Sequence, residues 1–303
     1  MRIASTQYHA TMNTALQNAS ARLELILQKM ASGQKYMLPS ENPIASVRMS
    51  RLAREEATLD QYRENIAALR ERLTRNEQYL DAMSADMLSA RDLMVWAADG
   101  SNTSADVNAM ASSLQPLMDS IFFTANARDA EGRYEFSGSA TSTPTITYDP
   151  AAPAGSRYTY TGNTDVQLVV VGNGVTQPAN VALNEIAAML NQLDEVRVVL
   201  TTPNVSVNDP AVRAAITATM DSLDGTVESV TGKIATLGGS QNILMTLEEN
   251  HSSVSLSNKQ AALVLGQLDY ADAAVKLNGY TTAVQATQRA YGAVSKLSLF
   301  DVI

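Results

Sequence analysis

No cysteine occurs in this chain, so it can hold neither a disulfide framework nor a reactive thiolate. Histidine is nearly absent too. His9 and His251 are the only two, they fall on separate helical patterns, and neither has a partner at metal-ligand spacing. Trp96 is the sole tryptophan and aromatic residues make up 5% of the sequence, which argues against a large aromatic core. The longest apolar runs, such as Ala261–Leu265 and Leu168–Val171, are far too short to cross a bilayer. No secretory signal stands at the N-terminus, where the most apolar stretch, Leu23–Leu27, is broken by Glu24. The expectation is a soluble protein, or one leaving the cell by a route that uses no cleaved signal.

A basic footprint for nucleic acid is missing as well. Net charge is −9 and unevenly placed. Residues 1–98 carry 12 basic and 11 acidic groups, residues 99–272 carry 7 and 19, and residues 273–303 carry 3 and 1. An acidic middle between nearly neutral ends suits an outward-facing middle and ends that pack against copies of themselves. Catalytic patterns fail in turn. Gly172-Asn173-Gly174 follows a strand pattern without a phosphate-binding lysine and reads as a strand-end turn. The acid pairs Glu55-Glu56, Asp194-Glu195 and Glu248-Glu249 occupy adjacent helix positions, about 100° apart, and read as solvated faces. No Gly-x-Ser-x-Gly elbow occurs, and the 13 methionines scatter over helix seams, where they fill gaps. Catalytic, cofactor and metal sites are all expected to be absent.

What the chain has is heptads. Leu52, Leu59, Ile66, Leu73, Leu80, Met87 and Met94 recur every seven residues, beside Tyr62, Leu69, Asn76, Met83, Ala90 and Ala97. Near the other end Leu263, Tyr270, Leu277, Val284 and Tyr291 run beside Ala273, Tyr280, Thr287 and Val294. A period of 3.5 marks a narrow seam that needs a partner helix. Helices are expected over 6–31, from Pro43 (with Asn42 as N-cap) to about 98, and over 106–128 with a kink at Pro116. Asn76 falls on the seam, where a buried amide fixes register. Strand patterns follow at Tyr134–Phe136, Thr145–Tyr148, Arg157–Thr161 and Val166–Val171. Helical periodicity returns over 181–200, from Pro210 to about 237, and, after a hinge at Gly238-Gly239, over about 241–298. The fold class expected is mainly α with a small β insert. An elongated antiparallel helical bundle, or coiled coil, would form from residues 1–132 and 179–303, with an antiparallel β domain over 133–178 pointing outward. A bundle closed within one chain would show the same heptads. The thin terminal seams, with Ala19, Ala273 and Thr287, favour helices that order when neighbours cover them.

Both termini also carry motifs. The start Met1-Arg2-Ile3, the connector Met30-Ala31-Ser32-Gly33-Gln34-Lys35 and Ser40-Glu41-Asn42-Pro43 resemble the flagellin superfamily. So do Leu268-Asp269-Tyr270-Ala271-Asp272-Ala273-Ala274, the Tyr280–Gln288 helix, and the ending Ser298-Leu299-Phe300-Asp301-Val302-Ile303. Gly132-Arg133-Tyr134-Glu135-Phe136-Ser137-Gly138 is similar to the family's passage from helical to outer domain. Departures are Glu41-Asn42 in place of paired aspartates and Lys35-Tyr36 where a basic pair is common. The opening, the ending and the single small insert are most similar to the family's members at the junction of hook and filament.

The resemblance implies a structural subunit of the bacterial flagellum, an adaptor ring at the hook–filament junction exported unfolded through the type III channel to the cell exterior. It implies as partners copies of the chain itself, a hook-side junction protein, flagellin, and a cytoplasmic export chaperone on the C-terminal helix. No nucleic acid or membrane partner is expected. The assembly and chaperone face is assigned to Leu277, Tyr280, Val284, Tyr291 and Val294, with Leu16, Leu23 and Ile26. Rival readings are a short flagellin forming the filament itself and a secreted coiled-coil adhesin or effector.

Overall fold

The computed structural model describes residues 2–296, with side chains described for residue 7 and residues 9–293. Among the described residues there are six α-helices and four short strands. The chain divides into two compact units, one formed by residues 1–58 with 252–303, the other by 59–251. Two long helices, α2 (Pro43–Ala97) and α5 (Pro210–Gly266), contribute to both.

In the 59–251 unit the α2 heptads are buried along their length. Ile66, Leu73, Leu80, Met87 and Met94 are at most 1% exposed, as are Asn76, Met83, Ala90 and Ala97 beside them. On α5 the series Ile216, Leu223, Val230, Leu237 and Leu244 is buried at the same seven-residue spacing. Its companion positions Thr219 and Thr226 are buried too, with each hydroxyl bonded to the carbonyl four residues back. The expected hinge at Gly238-Gly239 is absent: α5 runs straight through it. Buried Leu237, Ser240 and Leu244 hold that stretch on the seam, and packing outweighs the roughly 1 kcal/mol helix cost of a glycine.

Helix α3 (Ser104–Ala125) opens on a Thr103/Asp106 capping box and continues across Pro116, burying Val107, Ala111, Leu114, Met118, Ile121 and Ala125. Helix α4 (Ile186–Leu200) starts five residues later than the periodicity predicts and packs on α3. The strands form two separate antiparallel pairs, β1 (Ile146–Tyr148) with β2 (Tyr158–Tyr160) and β3 (Leu168–Gly172) with β4 (Val175–Pro178). Gly172-Asn173-Gly174 does turn the β3–β4 hairpin, with Gly174 at φ +71°. Tyr134–Phe136 is not a strand. Apart from one isolated bridge between Arg128 and Tyr134 it has no ladder partner, and Tyr134 through Gly138 form a buried loop.

In the other unit, α1 (Arg2–Ser32) packs along α6 (Tyr270–Lys296). The helix expected over 241–298 breaks here, because α5 ends at Gly266 and α6 begins at Tyr270. Asp269 causes the break. Its Oδ1 accepts the backbone N–H of Ala271 (2.9 Å) and of Asp272 (3.2 Å), capping a new helix.

Candidate assembly interface

The α1–α6 pair is thinly sealed. Its buried core is Ile26, Leu268 and Ala273, with Leu23, Met30, Leu277 and Tyr280 partly buried against them. Fully burying a large side chain contributes about 1.5–3 kcal/mol, whereas fixing one residue's backbone costs about 1–2 kcal/mol. Among the described residues, Ile26 on α1, Ala273 on α6 and Leu268 just before α6 are little for helices of 31 and 27 residues. The outer faces meanwhile expose Leu25, Leu27 and Val275, the last at 73%.

The side chains assigned to the assembly face separate on this frame. Leu16, Leu23 and Ile26 on α1 and Leu277, Tyr280 and Val284 on α6 lie half-buried or buried. Tyr291 remains 40% exposed and meets His9 edge-on, ring centroids 5.6 Å apart. The Val294 side chain lies outside the described residues. The seam predicted from Leu263 through Tyr291 does not run as one line: Leu263 (57%) and Tyr270 (51%) are exposed, since the break after Gly266 shifts the phase.

Where the helices break, the two chain segments join. The α1–α2 connector and the α5–α6 break pair as an antiparallel bridge of Gln34 with Gln267. Lys35 N–H donates to Gly266 O (2.8 Å) and Leu268 N–H to Gly33 O (2.9 Å). Gly33 sits at φ +69°, and the Tyr270 hydroxyl donates to Met30 O at 3.2 Å. Asn42 caps α2 as the sequence predicts, its Oδ1 accepting Ala45 N–H at 3.0 Å, while its Nδ2 donates to the Tyr36 hydroxyl, also at 3.0 Å. Lys29 pairs with Glu41 and holds that carboxyl below its ordinary 4.5. Cavities of about 460, 550 and 240 Å³ flank this joint.

Ion pairs fasten the 134–178 segment within the 59–251 unit. Glu135, 1% exposed, receives Arg72 (3.2 Å) and Arg75 (3.1 Å), and Phe136 beside it is fully buried against Tyr79. Asp194 corrects the solvated-face reading: it is 2% exposed and accepts Arg157 (3.1 Å) and Arg197 (2.8 Å). Glu56 and Glu248 are also engaged, with Lys259 and Arg70. His251 is an intrachain contact, its Nε2 2.8 Å from Val171 O and its ring against Tyr62. Nearby Asn65 Nδ2 donates to Val170 O at 2.8 Å, so α2 and α5 both hold the β3–β4 hairpin. Burial first, then the charges of Tyr148 and Asp194, pushes the Tyr158 hydroxyl up to about 12. Arg72 and Arg75 lie 63 and 60 residues from Glu135, His251 lies 80 from Val171 and Arg157 lies 37 from Asp194, separations that sequence spacing does not reveal. Among the described residues no three His, Asp or Glu side chains come together as a metal would need, and no helix is long and apolar enough to cross a membrane.

The geometry is that of two long helix seams with one underburied pair at the chain ends, and known proteins resemble the chain in sequence and in fold. The family model for the bacterial flagellin N-terminal helical region matches residues 3–141. Flagellar hook-associated protein 3 of Escherichia coli (strain K12) is 24% identical over 317 residues, covering 100% of this chain and 99% of its own. A structure described as a flagellar hook-associated protein from Vibrio parahaemolyticus is 32% identical, with TM-score 0.67 over 74% of this chain and 99% of that one. The flagellar junction protein of Legionella pneumophila shares the fold at 12% identity, with TM-score 0.59 over 72% of this chain and 100% of its own. The chain belongs to the flagellin superfamily, among its hook-associated proteins.

Proposed function

We propose that this protein is a non-catalytic adaptor at the hook–filament junction of the bacterial flagellum, assembling as a ring through α1 and α6. The observation that carries the reading is the underburied α1–α6 pair, whose inner seam closes, among the described residues, on Ile26, Leu268 and Ala273 while Leu25, Leu27 and Val275 stand exposed on its outside. Such a pair is completed by neighbours, and a closed ring follows from heterologous contacts whose rotation closes. Its partners are copies of itself, a hook-side junction protein and flagellin; a cytoplasmic chaperone covers the α6 face at Leu277, Tyr280 and Val284 before export. Export needs no cleaved signal, and the subunit ends outside the cell. Residues 133–178 act as a module on the outer side of the helical domain formed by 1–132 and 179–303.

Amide hydrogen exchange on the free protein and on isolated flagella tests this. The expected result is faster exchange over residues 1–40 and 265–303 than over 59–97 in the free chain, and full protection of both ends in flagella. Ends already fully protected in the free chain would sink it. Growth of the purified protein alone into long filaments would favour a short flagellin instead.

A further inference from the structure

Leu263, a heptad position of the sequence reading, stands 57% exposed on α5, beside Val264 at 82%. It lines the open groove of about 550 Å³ at the joint, together with Met49, Ala262, Gly33 and Gly266. Two glycines shape that groove. A Cβ on Gly266 would meet Met49 Cε at 2.9 Å, and Gly33 holds a left-handed φ. The Lys259 ammonium stands at the edge, 60% exposed and paired with Glu56.

The sequence after α6 has the complementary chemistry. Leu297-Ser298-Leu299-Phe300-Asp301-Val302-Ile303 holds five large apolar residues and one acid. It cannot come from the same chain. Helix α6 begins at the joint, where Tyr270 bonds Met30 O, and runs 27 residues away, about 40 Å at 1.5 Å per residue. Seven extended residues return at most about 25 Å.

We propose that this groove receives the Leu297–Ile303 segment of a second copy, with Phe300 or its apolar neighbours against Leu263 and Met49 and with Asp301 facing Lys259. The contact is head-to-tail, the class that generates rings. It rests on the reading that the chain assembles with copies of itself and names where they touch.

Because the chain has no cysteine, introduced ones report unambiguously. Cells would co-express one copy with Leu263→Cys and another with Phe300→Cys, and isolated flagella would be oxidised. The expected product is a covalent dimer that requires both variants. Lys259→Glu and Asp301→Lys should each lower incorporation into flagella at least fivefold, and the two together should restore it to within twofold. Flagella that contain both cysteine variants but yield no mixed dimer would overturn the proposal and leave the junction function standing. So would closure of a monomer carrying both cysteines, or a charge swap no better than its single members. Absence of the unmodified protein from flagella would instead overturn the assembly reading beneath it. If the cysteine variants fail to incorporate, a fluorescein-labelled 296–303 peptide is titrated against the purified full chain. Saturable binding weakened at least tenfold by Leu263→Asp supports the groove; no binding refutes it.

Discussion

At the α1–α2 connector, the side chains that depart from the flagellin pattern are placed against partners that suit them. Asn42 and Tyr36 stand where an acid and a base are common, and they bond each other as a neutral pair at 3.0 Å. Glu41 takes Lys29 instead. Its carboxyl is held below 4.5, first by the Lys29 hydrogen bond. A depressed folded value means stability that is present above the ordinary value and lost as pH falls through the folded one. Carboxyl NMR should therefore show Glu41 titrating below 4.5, and Lys29→Met should return it to the ordinary range; a midpoint unmoved by that substitution would remove Lys29 as the cause. Asp194 is the more severe case. Its removal leaves Arg157 and Arg197, each under a quarter exposed, without their buried acceptor. Asp194→Ala should cost about 3 kcal/mol in urea unfolding. A change under about 0.5 kcal/mol would restore the solvated reading. Asn42 was legible in the sequence because a cap and its proline are adjacent. Asp194 was not, because Arg157 reaches it from a strand end 37 residues away.

Among the elements, the long seams were the most legible because a heptad repeats its own evidence. The α2 series is buried wherever it crosses the 59–251 unit. The α5 series from Ile216 to Leu244 is as regular, and the hinge expected at Gly238-Gly239 is a local propensity that buried neighbours override. The break that does occur comes from Asp269, whose capping role needs only the amides two and three residues on. The segment Tyr134–Phe136 read as a strand because aromatics favour both sheets and cores; Phe136 is buried without a ladder. Asn76 carries a prediction for the α2 element. It is fully buried, and neither end of its amide bonds to the protein. Burial of an unbonded amide is unfavourable, so Asn76→Leu should raise unfolding stability by about 2 kcal/mol. The same substitution removes the one polar residue that penalises a slipped register on that stretch of seam. Lower stability in the variant would show that the amide is satisfied in solution.

For the whole molecule, the repeat pattern announced that the ends need helical partners but could not say how many. One partner is within the chain: α1 and α6 cover each other along Leu23, Ile26, Ala273, Leu277 and Tyr280. The heptad alone cannot separate this inner seam from contacts with a neighbour, because a helix presents both on adjacent stripes. Exposure separates them. Leu277 is half-buried on the inner seam, whereas Val275 on the same helix is 73% exposed. The two positions should therefore fail differently. Leu277→Asp places an unpaired charge in the α1–α6 seam, so it should lower helix content in the free protein as well as block incorporation. Val275→Asp faces outward, so its circular dichroism should match the unmodified chain while incorporation into isolated flagella falls at least tenfold. Normal incorporation of Val275→Asp would mean that the outward stripe of α6 stays in water in the assembled flagellum, and the neighbour's contact would then have to lie at the joint, where Leu263 and Val264 are exposed.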